Sequence, residues 1–232
     1  MPLQHLFLQI TTAATDSLGG TSGVGGDSVS LFDLVLKGGI MMIPIFILSI
    51  LGIYLIVERF LTLKKADRDP EDFMGQLRNF IKQGDIDNAK DICRDYDTPF
   101  SRMLEKGVDK LGKPLSNIEA TIENVGKIEI YKLDRNLNIL ATIAGAAPML
   151  GFLGTVTGMV RAFISIAQVE GSVSPKLLSA GIYEAMITTV AGLIVGIIAY
   201  VGHSFLTNKV EKIIHQMEYS SIEFIELLQE PR

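Results

Sequence analysis

Three runs of apolar residues organise the chain. The first, GGIMMIPIFILSILGIYLIV at 38–57, lies uncharged between Lys37 and Glu58. It matches the roughly 20 residues that a helix needs to cross a bilayer core. The second runs uncharged over 136–160, and the third runs over 177–208 with one charge inside it, Glu184. At 1.5 Å per residue the third is about 48 Å long. That exceeds a hydrocarbon core, so this helix is expected to project beyond the bilayer at one end. An ionised carboxylate in hydrocarbon is costly unless it meets a partner or water. Glu184 therefore sits either near an interface or on an ion path.

The polar stretch between the first and second runs carries helix start and stop signals. Asp69 followed by Pro70 is a cap with proline at the first helical position, and Gly84 is a stop. A short helix fits 85–96. A third begins at Thr98 and Pro99 and ends near Gly112. Ser116 with Glu119 has the spacing of a capping box. No proline or breaker cluster follows until Pro148. The expectation is one helix from Asn117 through the whole second span, about 65 Å long. The third span should continue past Lys209 and Lys212 to about Leu228, with Ile213, Met217, Ile222 and Ile225 giving it a partly apolar face.

Lysine and arginine near the span ends set the orientation. Arg59, Lys64, Lys65 and Arg68 follow the first span, Lys127, Lys132 and Arg135 precede the second, and Lys209 and Lys212 follow the third. Only Lys37, Arg161 and Lys176 flank the other side. The region 59–136 and the C-terminus are thus expected in the cytoplasm and the N-terminus outside. The predicted fold class is an all-α integral membrane protein with three transmembrane helices, two of them extended into a cytoplasmic helical bundle. Its parts are an N-terminal periplasmic or interfacial segment and flexible linker (1–30), a first transmembrane helix (31–58), a cytoplasmic helical domain (59–136), a second transmembrane helix (137–161), a short periplasmic loop (162–179), a third transmembrane helix (180–206) and a C-terminal cytoplasmic helix (207–232). Residues 1–27 lack the basic start of a signal peptide. They read as a short amphipathic or interfacial segment followed by the linker GGTSGVGGD.

Composition agrees with spans plus a soluble part: 48% of the 232 residues are hydrophobic and 20% are charged. A net charge of −5 without a basic run sets nucleic acid aside. Cys93 is the only cysteine, so no intrachain disulfide forms. His5, His203 and His215 are scattered and do not make a metal site with it. No phosphate loop, dinucleotide fingerprint or serine elbow is present. The chain is not expected to be an enzyme or to need a cofactor.

The polar residues inside the second and third spans are the candidates for an ion pathway: Glu184, Thr155, Thr189 and Thr188. Thr188 lies one helical turn after Glu184 on the same face, and Thr189 lies further round. Intramembrane threonines also commonly bond back to their own helix, and Glu184 could equally pair with Arg161 or reach the headgroups. Gly154 with Gly158 and Gly192 with Gly196 form two GxxxG patterns. Together with Gly151 and Pro148 they point to close helix packing, between or within subunits.

The strings APMLGFLGTVTGM (147–159) and GIYEAMITTVAG (181–192) resemble two stretches of the MotA/TolQ/ExbB proton-channel family, A-P-x-x-G-L-x-G-T-V-x-G and G-I-x-E-A-L-x-x-T-x-x-G. The resemblance covers roughly residues 30–225. Three spans rather than four favour the ExbB/TolQ branch, and the Gly/Ser-rich N-terminal extension leans towards ExbB. The resemblance implies a homopentamer in a bacterial inner membrane, in contact with lipid, whose pore is lined by the second and third spans. It implies an ExbD-like single-span dimer in that pore (TolR in the Tol system) and a TonB-like protein that carries the motion to outer-membrane transporters. By motif position, Glu184, Thr155 and Thr189 match the family's polar pore residues, and Thr188 does not stand at the family's threonine position. The alternatives are a TolQ-like subunit of the Tol envelope system and a scaffold that conducts nothing. A secondary transporter fits least, because three spans without an internal repeat are few for a substrate cavity.

Overall fold

The computed structural model describes residues 38–168 and 175–230. The expectations for 1–30 and for the middle of the 162–179 loop lie outside the described residues. Among those described, the chain forms α-helices and no strand: α1 (Met42–Ala66), α2 (Glu71–Gln83), α3 (Ile86–Tyr96), α4 (Pro99–Val108), α5 (Leu115–Asp134), α6 (Leu137–Ala167) and α7 (Pro175–Gln229). Three stretches are long and apolar enough to cross a membrane: Met42–Ala66, the helical run Leu115–Ala167 and Gly181–Gln229. They explain why Ile43, Phe46, Ile50 and Tyr54 on α1 and Met186, Ile197 and Val201 on α7 stand exposed. Such continuous apolar surface is stable against lipid or a neighbouring subunit and not in water.

The helices α6 and α7 pack along their length. On α7 the buried positions Ala185, Thr188, Ala199, Leu206, Val210, Ile213, Met217, Ser220, Phe224 and Leu227 recur mostly at steps of three and four. Gly192 and Gly196 fill the gap in the series. This is the spacing of a seam between helices that coil left-handedly. In the apolar part the seam is made of small residues. In the polar part it is made of large ones, which build the core of the α2–α5 bundle.

That core holds Phe73, Leu77, Cys93, Phe100, Leu104, Ile122 and Phe224. Phe73 meets Tyr96 at 5.1 Å and Phe100 at 5.4 Å between ring centroids. Local signals set the helix ends. Asp69 accepts the Glu71 amide at 3.0 Å. Gly84 ends α2 at φ 75°, a left-handed value open to glycine at little cost. Asp85 caps α3 through the Asn88 amide at 3.2 Å. Thr98 and Ser101 form a buried reciprocal cap on α4.

Ion pairs tie the bundle together. Glu129, buried on α5, accepts from Arg102 Nε and Nη2 at 3.1 and 2.7 Å and from Lys132 Nζ at 2.6 Å. Burial pushes its carboxyl up, but the Arg102 and Lys132 hydrogen bonds outweigh that and hold it below its ordinary value. Arg59, near the end of α1, is buried and donates to the Lys132 carbonyl at 3.3 Å. Its Nε also lies 3.0 Å from Glu58, a charge contact without hydrogen-bond alignment. Lys212 on α7 reaches Asp67 at 2.8 Å. Burial, reinforced by Glu105 and Asp109, pushes the Cys93 thiol up to about 12.

Three expectations need correction. The long helix expected from Asn117 is broken at Arg135 and Asn136. Asn136 takes φ 68°, a left-handed conformation that asparagine tolerates better than most residues. The capping box at Ser116 and Glu119 does not form. The helix starts at Leu115, and the Pro114 carbonyl accepts from Asn117 and Ile118 in its place. The helix that starts at Pro99 ends at Val108 and is followed by turns up to Gly112. In addition, α6 runs to Ala167 and α7 begins at Pro175, so the connection assigned to 162–179 is helical at both ends.

Candidate functional site

The polar candidates lie on the small-residue half of the α6–α7 seam, and the glycines explain how the two helices come so close. A Cβ placed on Gly151 would stand 2.9 Å from the Thr188 carbonyl oxygen and 3.3 Å from the Gly192 Cα. Gly154 faces the Thr188 side chain, and Gly158 faces Gly181 and Ala185. Gly196 lies under the Pro148 ring and beside the Ala144 carbonyl. Proline removes the amide that this carbonyl would otherwise accept, and the absence of a side chain on Gly196 lets the α7 backbone cover it. Both GxxxG patterns and Pro148 thus pack α6 on α7 within one chain.

Each threonine does something different on this seam. Thr189 donates across the interface to the Gly151 carbonyl at 3.2 Å. Thr188 is only 1% exposed and donates back to the Ala185 carbonyl at 2.8 Å. Thr155, half-buried, donates to the Phe152 carbonyl of its own helix at 2.6 Å. Among the described residues none of these hydroxyls bonds to the side chain of another candidate. Thr188 is therefore a packing residue in this conformation. Thr155 remains partly exposed.

Glu184 stands nine residues into α7, about 14 Å from the start of the helix. Its Oε1 accepts from Arg161 Nη1 on α6 at 3.0 Å. The side chain of Glu184 is 26% exposed and that of Arg161 is 53% exposed. A third element completes the site. Gly39, in the turn before α1, has φ 68° and lies directly against this pair. The Glu184–Arg161 contact was one of the open readings of the sequence. The part played by Gly39 was not anticipated, and its signal is the Gly38–Gly39 doublet just ahead of the first apolar run.

Chemically, the region offers one carboxylate at an interhelical ion pair, one partly exposed hydroxyl bonded back to its own helix and one hydroxyl that bridges two helices. Among the described residues no three His, Cys, Asp or Glu side chains come together as a metal site. The Glu184 carboxylate is paired with Arg161, and the threonine hydroxyls are bonded to backbone carbonyls.

The chain is 28% identical over 203 residues to biopolymer transport protein exbB1 of Vibrio cholerae, covering 82% of this chain and 85% of that one. It is 27% identical over 198 residues to biopolymer transport protein ExbB of Neisseria meningitidis, covering 78% and 88%. It is also 26% identical over 205 residues to Tol-Pal system protein TolQ of Haemophilus influenzae, covering 80% and 87%. Residues 95–219, more than half of the chain, match the family described as MotA/TolQ/ExbB proton channel. With that match spanning α6, most of α7 and the acid and threonines they carry, this all-helical chain belongs to the MotA/TolQ/ExbB proton channel family.

Proposed function

We propose that the chain is the channel and stator subunit of an inner-membrane motor that turns proton motive force into mechanical work for TonB-dependent transport at the outer membrane. One observation carries this reading: Glu184, Thr155 and Thr189 lie on the paired helices α6 and α7 of a family member, beside wide apolar surfaces that stand exposed among the described residues. Five copies surround a pore lined by α6 and α7, and an ExbD-like single-span dimer occupies it. The helices α2–α5 and the end of α7 form the cytoplasmic part, and the N-terminus is periplasmic. Glu184 and the threonine hydroxyls support a charge in passage that hydrocarbon would expel. A proton falling through 150 mV releases about 3.5 kcal/mol, so work at the outer membrane draws on several protons.

A TolQ-like role is the second reading, favoured by the TolQ match at nearly the same identity as the ExbB matches. Uptake of a ferric siderophore, in cells that depend on this chain for the function, separates the two. Uptake lost with Glu184→Ala at equal membrane levels and intact assembly supports the TonB-linked role. Normal uptake with new detergent sensitivity supports the Tol-linked role. Neither defect would leave a scaffold that conducts nothing.

A further inference from the structure

We infer that Arg161 and the turn at Gly39 form a latch on Glu184. In this view Arg161 is the resting counter-ion of the carboxylate and must let go before Glu184 takes part in ion passage. The inference rests on the reading of Glu184 as an ion-path residue and adds the device that holds it at rest.

Three elements converge on one carboxylate. Glu184 comes from α7, Arg161 from α6, and Gly39 from the turn that leads into α1. The Arg161 guanidinium donates to Glu184 Oε1 at 3.0 Å. The turn is held by its own backbone, with the Met42 amide donating to the Gly39 carbonyl at 3.1 Å. Two features favour glycine at position 39. Its φ of 68° disfavours other residues. A Cβ on it would also stand 2.8 Å from the Glu184 carboxyl carbon and 3.4 Å from Arg161 Nη1. A side chain on residue 39 would strain the turn and push the Glu184 carboxylate aside.

The chemistry favours a pair that stays shut until something moves. Neither charge is stable alone against hydrocarbon, so each holds the other. Arg161 is exposed, with its side chain 53% accessible beside the helix seam. The small-residue contacts of Gly158 with Gly181 and Ala185 hold α6 to α7 one turn away. Opening the pair therefore leaves the seam intact. Because the third element leads into α1, displacement of α1 against the α6–α7 pair unseats the latch. Arg161 is in this sense a positioning residue for Glu184.

The test reads the pair apart from the ion path. Membranes holding the assembled complex are treated with a hydrophobic carbodiimide, and Glu184 modification is followed by mass spectrometry, with Glu184→Gln as the blank. A carboxyl oxygen taken up by a guanidinium is shielded from the reagent. Arg161→Ala should label about fivefold faster than wild type, and Arg161→Lys should stay near wild type. Gly39→Ala, which keeps both charges, should also label faster. In vesicles containing the complex, Arg161→Ala should raise the resting proton leak and Arg161→Lys should restore it. Wild-type labelling rates in both Arg161→Ala and Gly39→Ala would overturn the latch. Faster labelling in a protein whose Glu184→Gln variant conducts like wild type would instead overturn the ion-path reading, and with it any regulatory meaning of the pair.

Discussion

Substitution of Gly192 by alanine separates close helix packing from ordinary helix propensity. A methyl there would stand 2.9 Å from the Gly151 Cα, 3.1 Å from the Gly151 amide nitrogen and 2.5 Å from the Ala147 carbonyl oxygen. Carbon contacts are most favourable near 3.5–4.0 Å. All three neighbours are backbone, so no side chain can rotate away, and α6 and α7 must part by about 1 Å locally. Overpacking of this kind costs about 1–3 kcal/mol. Separation also stretches the Thr189 bond to Gly151, now 3.2 Å, adding about 1 kcal/mol. Alanine recovers about 1 kcal/mol over glycine in helix propensity. The net loss is about 2 kcal/mol. Gly145→Ala is the control, because a Cβ there has nothing within 4 Å among the described residues, and it should gain about 1 kcal/mol. Both variants would be unfolded by heat and by titration with a denaturing detergent, followed by helical circular dichroism. Equal stability of Gly192→Ala and Gly145→Ala would refute the tight seam.

Two further outcomes follow from the polar bundle. Arg102→Ala leaves the buried Glu129 carboxylate with Lys132 alone and should cost about 2 kcal/mol, below the usual figure for a fully buried pair because Arg102 is partly exposed. In wild type the carboxyl of Glu129 is held below its ordinary 4.5, so its contribution is complete above that value and lost as pH falls through the lowered one. Acid titration of stability should show a loss in that window that is smaller in Arg102→Ala. Cys93 is buried with its thiol pushed up to about 12, so it should resist maleimide at pH 8 until the bundle opens. Rapid labelling of folded protein would mean that the α3–α4 packing described here is absent.

The apolar runs disclosed the membrane-crossing helices because about 20 uncharged residues have few other stable uses. Glu184, Thr155 and Thr189 stand out as candidates for the converse reason, being polar groups in those runs. The break at Asn136 was not legible. One residue in a left-handed conformation leaves no breaker signature, and the string RNLN looks permissive of a helix. The capping box at Ser116 failed because Pro114, two residues earlier, already starts the helix. The two adjacent threonines could not be told apart from spacing alone. A rotation of 100° turns Thr188 into the seam and leaves Thr189 to bridge to Gly151. Gly39 was hidden for a different reason: its meaning lies in two charges far away in sequence.

The most direct test of the central claim is proton flux. The chain, co-purified with the single-span partner proposed for it, would be placed in vesicles under an imposed potential, and internal acidification compared between wild type and Glu184→Gln at equal protein content and with the same assembled complex. The account predicts partner-dependent flux in wild type and its loss in Glu184→Gln. Equal flux in the two, or none in either despite an intact complex, would contradict a role for Glu184 on the ion path.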